Sequence, residues 1–123
     1  MLNTLIHIIV IVAIIEHLYF LWLEMFAWET VGKKVFTMLQ KELFKPTKYM
    51  AANQGLYNGF LALGLIWTFF ISDPIWINNL RIFFLLCISI AGIFGGVTIS
   101  KRIFIIQSIP AIIGLILIFI SKY

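Results

Sequence analysis

The sequence predicts an all-α membrane protein: a four-transmembrane-helix bundle with a short basic interfacial helix between helices 1 and 2. Three observations predict it. The 123 residues are 63% hydrophobic and only 11% charged, against about 25% charged in an ordinary soluble domain. Four apolar stretches are each long enough to cross a bilayer, which takes roughly 20 residues. The basic residues gather in the connections between those stretches, where they set orientation.

The stretches cover residues 2–27, 49–71, 80–99 and 103–120. All are expected to be helical, because a lone helix satisfies its own backbone in lipid while strands need a closed barrel. Residues 1–123 are then a single transmembrane domain. The N-terminus lacks a basic leader and a small-residue cleavage site, so it reads as a retained first span.

The first connection carries Lys33, Lys34, Lys41, Lys45 and Lys48, and the third carries Lys101 and Arg102. The second holds Asp73-Pro74 and Asn78-Asn79 and no lysine or arginine. The first and third connections are therefore placed in the cytoplasm. With four spans, both termini are non-cytoplasmic, in a bacterial cell membrane. Val31, Val35, Leu39 and Leu43 recur at helical spacing opposite a basic face, and Pro46 ends the pattern. Residues 31–45 are thus expected to form one amphipathic helix on the membrane surface. Trp28, Tyr49, Trp67 and Trp76 fall near span ends, where amphipathic aromatics anchor.

Ionisable and amide groups inside a span are costly and mark function. Span 1 has Glu16, His17 and Glu24; span 2 has Asn53, Gln54, Tyr57 and Asn58; span 4 has Gln107 and Ser108. At a rise of about 1.5 Å per residue, Glu24, Asn53, Gln54 and Gln107 lie roughly 6–8 Å inside the inner boundary. Tyr57 and Asn58 lie roughly 12–14 Å inside, and His17 near the midplane. These residues, with Trp28, are the candidate ligand-binding or proton-coupling set. Glu24 would be the centre of a polar pocket open to the cytoplasm. The structural alternative is hydrogen bonding between helices. Glu16 points about 100° away from His17, toward another neighbour.

Gly55/Gly59 and Gly92/Gly96 form GxxxG pairs that let helices approach closely. Either face would suit a homodimer. Pro110 is expected to kink span 4. The lone Cys87 cannot form an internal disulfide. No metal site, phosphate-binding loop or nucleophile–base pair is visible, and the basic residues read as topology signals rather than a nucleic-acid surface.

Several runs carry a resemblance: Glu24-Met25-Phe26-x-Trp28, Asn53-Gln54-Gly55-Leu56-Tyr57-Asn58-Gly59-Phe60, Ala91-Gly92-Ile93, Arg102-Ile103, and Gln107-Ser108-x-Pro110-Ala111. Together they resemble the bacterial domain-of-unknown-function family thirteen-oh-four of small membrane proteins, itself loosely similar to DoxX-type four-helix proteins. The resemblance implies four spans and the same polar positions; it implies no activity or cofactor.

Three functions are open on these residues. The first is binding or transport of a small hydrophobic ligand through the pocket at Glu24. The second is an enzyme or redox subunit acting on a quinone-like substrate, with Tyr57 or His17 moving a proton. The third is an accessory structural protein whose basic segment meets membrane lipid.

Overall fold

The computed structural model describes residues 1–121, and among them there is helix and no strand. Four long helices dominate. They are α1 (Leu2–Phe26), α2 (Phe44–Trp67), α3 (Pro74–Thr98) and α4 (Lys101–Ser121). Of these, α1, α3 and α4 are long and apolar enough to cross a membrane. The 24 residues of α2 match them in length, but Asn53, Gln54 and Asn58 dilute its apolar character.

α1 packs most closely along α2, and α3 along α4. All four helices contribute to one apolar core. Ile6, Val10, Ala13 and Ile14 of α1 meet Leu65 of α2, Leu85 and Ile88 of α3, and Ala111, Leu115 and Ile118 of α4. The outside is equally apolar: Ile11, Trp22, Leu63, Phe83, Ile90, Ile113 and Phe119 are all exposed. A water-soluble monomer rarely exposes contiguous apolar patches on this scale, whereas hydrocarbon solvates them.

Two turns are chemically fixed. Asp73 caps α3, its Oδ1 accepting from the Ile75 and Trp76 amides at 2.8 and 3.3 Å. Pro74 follows at the first helical position, where its missing amide costs nothing. This pair starts α3 six residues before the apolar run suggested. Beneath it, Arg81 Nε donates to Thr68 Oγ1 at 3.1 Å, both residues being buried. At the other end, Ser100 Oγ accepts from the Arg102 amide at 3.3 Å and opens α4.

The connection between α1 and α2 departs from expectation. Residues 31–45 do not form one helix. Trp28–Gly32 make a π-helical turn, Lys33–Val35 a single α turn, and Lys41–Leu43 a 3₁₀ turn. The cause is packing. The Trp28 ring lies 5.3 Å from Phe36 and 4.9 Å from Phe44, and its Nε1 donates to Thr47 Oγ1 at 3.1 Å. A straight helix could not fold Phe36 and Phe44 back onto one indole. Pro46 does not stop a helix either; it sits in the first turn of α2, where proline is tolerated.

In α4, where Pro110 is expected to kink the span, the helix leaves α geometry just upstream. Phe104–Ser108 form a π-helical turn, with the Ile109 amide bonded to the Phe104 carbonyl. Such bulges bend or relieve a helix.

Candidate functional site

The site grows from a close approach of α1 and α2. Gly55 is buried, and a side chain there would put its Cβ 2.9 Å from Glu24 Cβ and 3.1 Å from the Leu21 carbonyl oxygen. Only glycine allows that separation. One turn on, at i+3, Asn58 lies on the same face of α2. Its Nδ2 donates to Glu24 Oε2 at 2.8 Å. Glu24 is 6% exposed, so this bond is made largely out of solvent.

Beside this pair is a cleft of about 210 Å³. Glu24, Trp28 and Tyr49 wall it, and Glu29, Thr30 and Lys48 add polar groups. Lys48 Nζ stands 3.9 Å from Glu29 Oε1 with both side chains well exposed. Such an exposed pair adds little stability. Its geometric effect is to put one positive and one negative group at the rim.

The candidate residues separate into groups. Glu24 bonds Asn58 on one side and shares the cleft wall with Trp28 on the other. His17 is buried on the same face of α1, with Nδ1 2.8 Å from the Ala13 carbonyl oxygen and Phe20 edge-on at 6.4 Å. It does not line the cleft. Asn53, Gln54 and Tyr57 are exposed on α2, and Tyr57 packs edge-on against Phe60 at 5.8 Å. Gln107 belongs to a different contact: its Cβ lies against Gly92 of α3. Ser108 Oγ there donates to the Ser89 carbonyl at 2.9 Å. The polar residues that share one depth therefore face different neighbours and do not share one pocket.

The glycine pairs are likewise filled from within the chain. Gly55 and Gly59 meet Leu21, Glu24 and Met25 of α1, while Gly92 and Gly96 meet Phe104, Gln107 and Ser108 of α4. Each glycine pair thus serves a helix contact inside the chain. Trp28, expected as a lipid anchor as well as a site residue, is half-buried and clamps the connection onto α2.

Sequence reasoning missed the partners that hold Trp28 at the cleft. Thr47 and Gly32 were unremarkable in sequence, yet Gly32 admits the Trp28 and Phe44 rings at 3.2 and 3.5 Å from where a Cβ would be. Among the described residues, no three His, Cys, Asp or Glu side chains gather as a metal site.

Comparison with known proteins agrees with the motif pattern. A curated relative, "Uncharacterized protein YpaA" of Lactococcus lactis subsp. lactis (strain IL1403), is 36% identical over 106 residues, covering 83% of this chain and 86% of the relative. No solved structure matches the chain. The family described as "Protein of unknown function (DUF1304)" matches residues 10–119, which takes in Glu24, Asn58 and the whole cleft, and the chain belongs to that family.

Proposed function

We propose that this is a four-span membrane protein that binds a small molecule in the cleft at Glu24. In this reading α2 is the fourth span and the lysine-bearing connection between α1 and α2 faces the cytoplasm. Both termini then lie on the opposite side. Three features support the span. First, α2 is about 36 Å long at 1.5 Å per residue, enough to cross the hydrocarbon. Second, it packs along α1 for much of its length. Third, the connection after it has no lysine or arginine.

The observation that carries the binding reading is the Glu24 carboxyl. It is held by Asn58 from the neighbouring helix and stands at the wall of a cleft with an indole and a phenol. A carboxyl buried in a span is an expensive way to join two helices, whereas Asn–Asn or Ser–backbone bonds would do so more cheaply. Placed at a cleft, the carboxyl can accept a hydrogen bond from a ligand while Trp28 and Tyr49 cover the ligand's apolar face.

Native mass spectrometry of protein extracted with its own lipids tests this. The wild type should retain a small molecule that Glu24→Gln loses while remaining folded. Retention of the same molecule, at the same occupancy, by both proteins would contradict the proposal.

A further inference from the structure

Eight residues before Glu24, Glu16 faces another part of the bundle. Its Oε2 is buried and has no hydrogen-bond partner. A buried acceptor left without a donor is costly and calls for an explanation. Glu16 lines a partly open cavity of about 430 Å³. That volume falls within the range of small-molecule sites, about 300–1,000 Å³.

The walls are mainly apolar and aromatic. Tyr19 and Phe20 come from α1, Phe36 and Leu39 from the broken connection, and Ile103 and Ile106 from α4. The break in the expected helix thus has a consequence: it brings residues 35–39 over this space. Ser100 and Arg102 border the cavity at the turn between α3 and α4. Tyr19 is 43% exposed and Ile106 37% exposed, so the wall they form opens on the lipid-facing side.

We propose that this cavity binds a lipophilic amine that enters from the bilayer and donates an ammonium N–H to Glu16 Oε2. An ionic donor makes the strongest hydrogen bond to a carboxyl oxygen. Phenol and phenyl rings attract a cation through their faces, and the aliphatic side chains take the apolar body. Arg102 is exposed, so water and lipid headgroups screen its charge. Glu16 Oε2 is buried, and the buried group selects the ligand. A carboxylate ligand offers Glu16 Oε2 no hydrogen-bond donor.

The test uses the full chain in lipid nanodiscs and three matched probes: naphthylethylamine, naphthylethanol and naphthylacetate, followed by equilibrium dialysis. The amine should bind saturably and the other two at least about tenfold more weakly. Glu16→Gln should weaken the amine by about tenfold or more, a difference of about 1.4 kcal/mol. Ile106→Trp, which fills the cavity from its exposed wall, should weaken it without touching Glu16. Equal binding of amine and alcohol would overturn the proposal. So would amine binding that survives both variants but is lost in Glu24→Gln, since that places the amine in the other cleft. Helical circular dichroism and an unchanged elution volume confirm that each variant is folded.

Discussion

Asn58 Nδ2 donates to Glu24 Oε2 at 2.8 Å across the α1–α2 contact, and Gly55, one turn earlier, is what brings the two helices that close. The two residues act as a unit, and their variants separate by chemistry. Asn58→Leu leaves the Glu24 carboxyl without its donor inside the bundle. That should cost about 1–3 kcal/mol, the desolvation penalty of an unmatched polar group. Glu24→Gln keeps an acceptor for Asn58 and should cost less than about 1 kcal/mol. Unfolding of each variant in bicelles would measure the order.

Gly55→Ala tests the close approach itself. The added methyl would sit 2.9 Å from Glu24 Cβ and 3.1 Å from the Leu21 carbonyl oxygen. Backbone is on one side and a Cβ on the other, so neither can swing away. A loss of about 1–3 kcal/mol is expected. Because the shift also pulls Asn58 from Glu24, Gly55→Ala and Asn58→Leu should combine less than additively.

At the opposite end of the bundle, Thr68 Oγ1 accepts from Arg81 Nε and donates to the Leu65 carbonyl at 2.7 Å. The Arg81 guanidinium also lies 5.1 Å from the Phe69 ring centroid. Thr68→Val removes the acceptor and leaves a buried guanidinium N–H unmatched, at a cost of about 1–3 kcal/mol. The pair Thr68→Val with Arg81→Leu removes both partners and should recover most of the loss. The same bicelle unfolding reads both.

The contact of α3 with α4 depends on Gly92. A side chain at that position would meet Ser108 Oγ and, at 3.0 Å, both the Ser108 amide nitrogen and Gln107 Cβ. Gly92→Val should therefore destabilise by about 1–3 kcal/mol. Ser108→Ala, which removes only the bond to the Ser89 carbonyl, should cost about 0.6 kcal/mol.

Orientation is open to chemical labelling. Lys34 and Ser72 are exposed and flank α2. In a Cys87→Ala background, Ser72→Cys should react with a membrane-impermeant maleimide in intact cells. Lys34→Cys should react only after the membrane is opened. Reaction of both from the same side would mean that α2 does not cross.

Much of the fold was legible because apolar length is a strong signal. The runs at 2–27 and 103–120 predict α1 and α4 nearly to the residue. The segment 31–45 was not legible, because its helical spacing is real but Trp28 draws Phe36 and Phe44 onto one ring. Depth along each helix was readable only coarsely: it set Asn58 about one helical turn deeper than Glu24, a gap that the two bonded side chains bridge. Rotation about the axis was harder. Asn53 and Asn58 are five residues apart, about 140° around a helix, so both cannot face α1. The GxxxG spacing predicts a close helix approach but not its partner, and that partner is inside the same chain. The Glu16 cavity had one sequence signal, the turn of about 100° away from His17. Its lid could not be read until the connection was seen to break.

The central claim is that the Glu24 carboxyl serves a ligand and not only the contact between α1 and α2. The most direct measurement is a fiducial-assisted density map of the protein extracted with native lipids. Density bounded by Glu24, Trp28 and Tyr49 is expected in the wild type and is expected to be lost in Glu24→Gln. A cleft filled by the protein's own side chains in both maps, with Asn58 still bonded to residue 24, would contradict it.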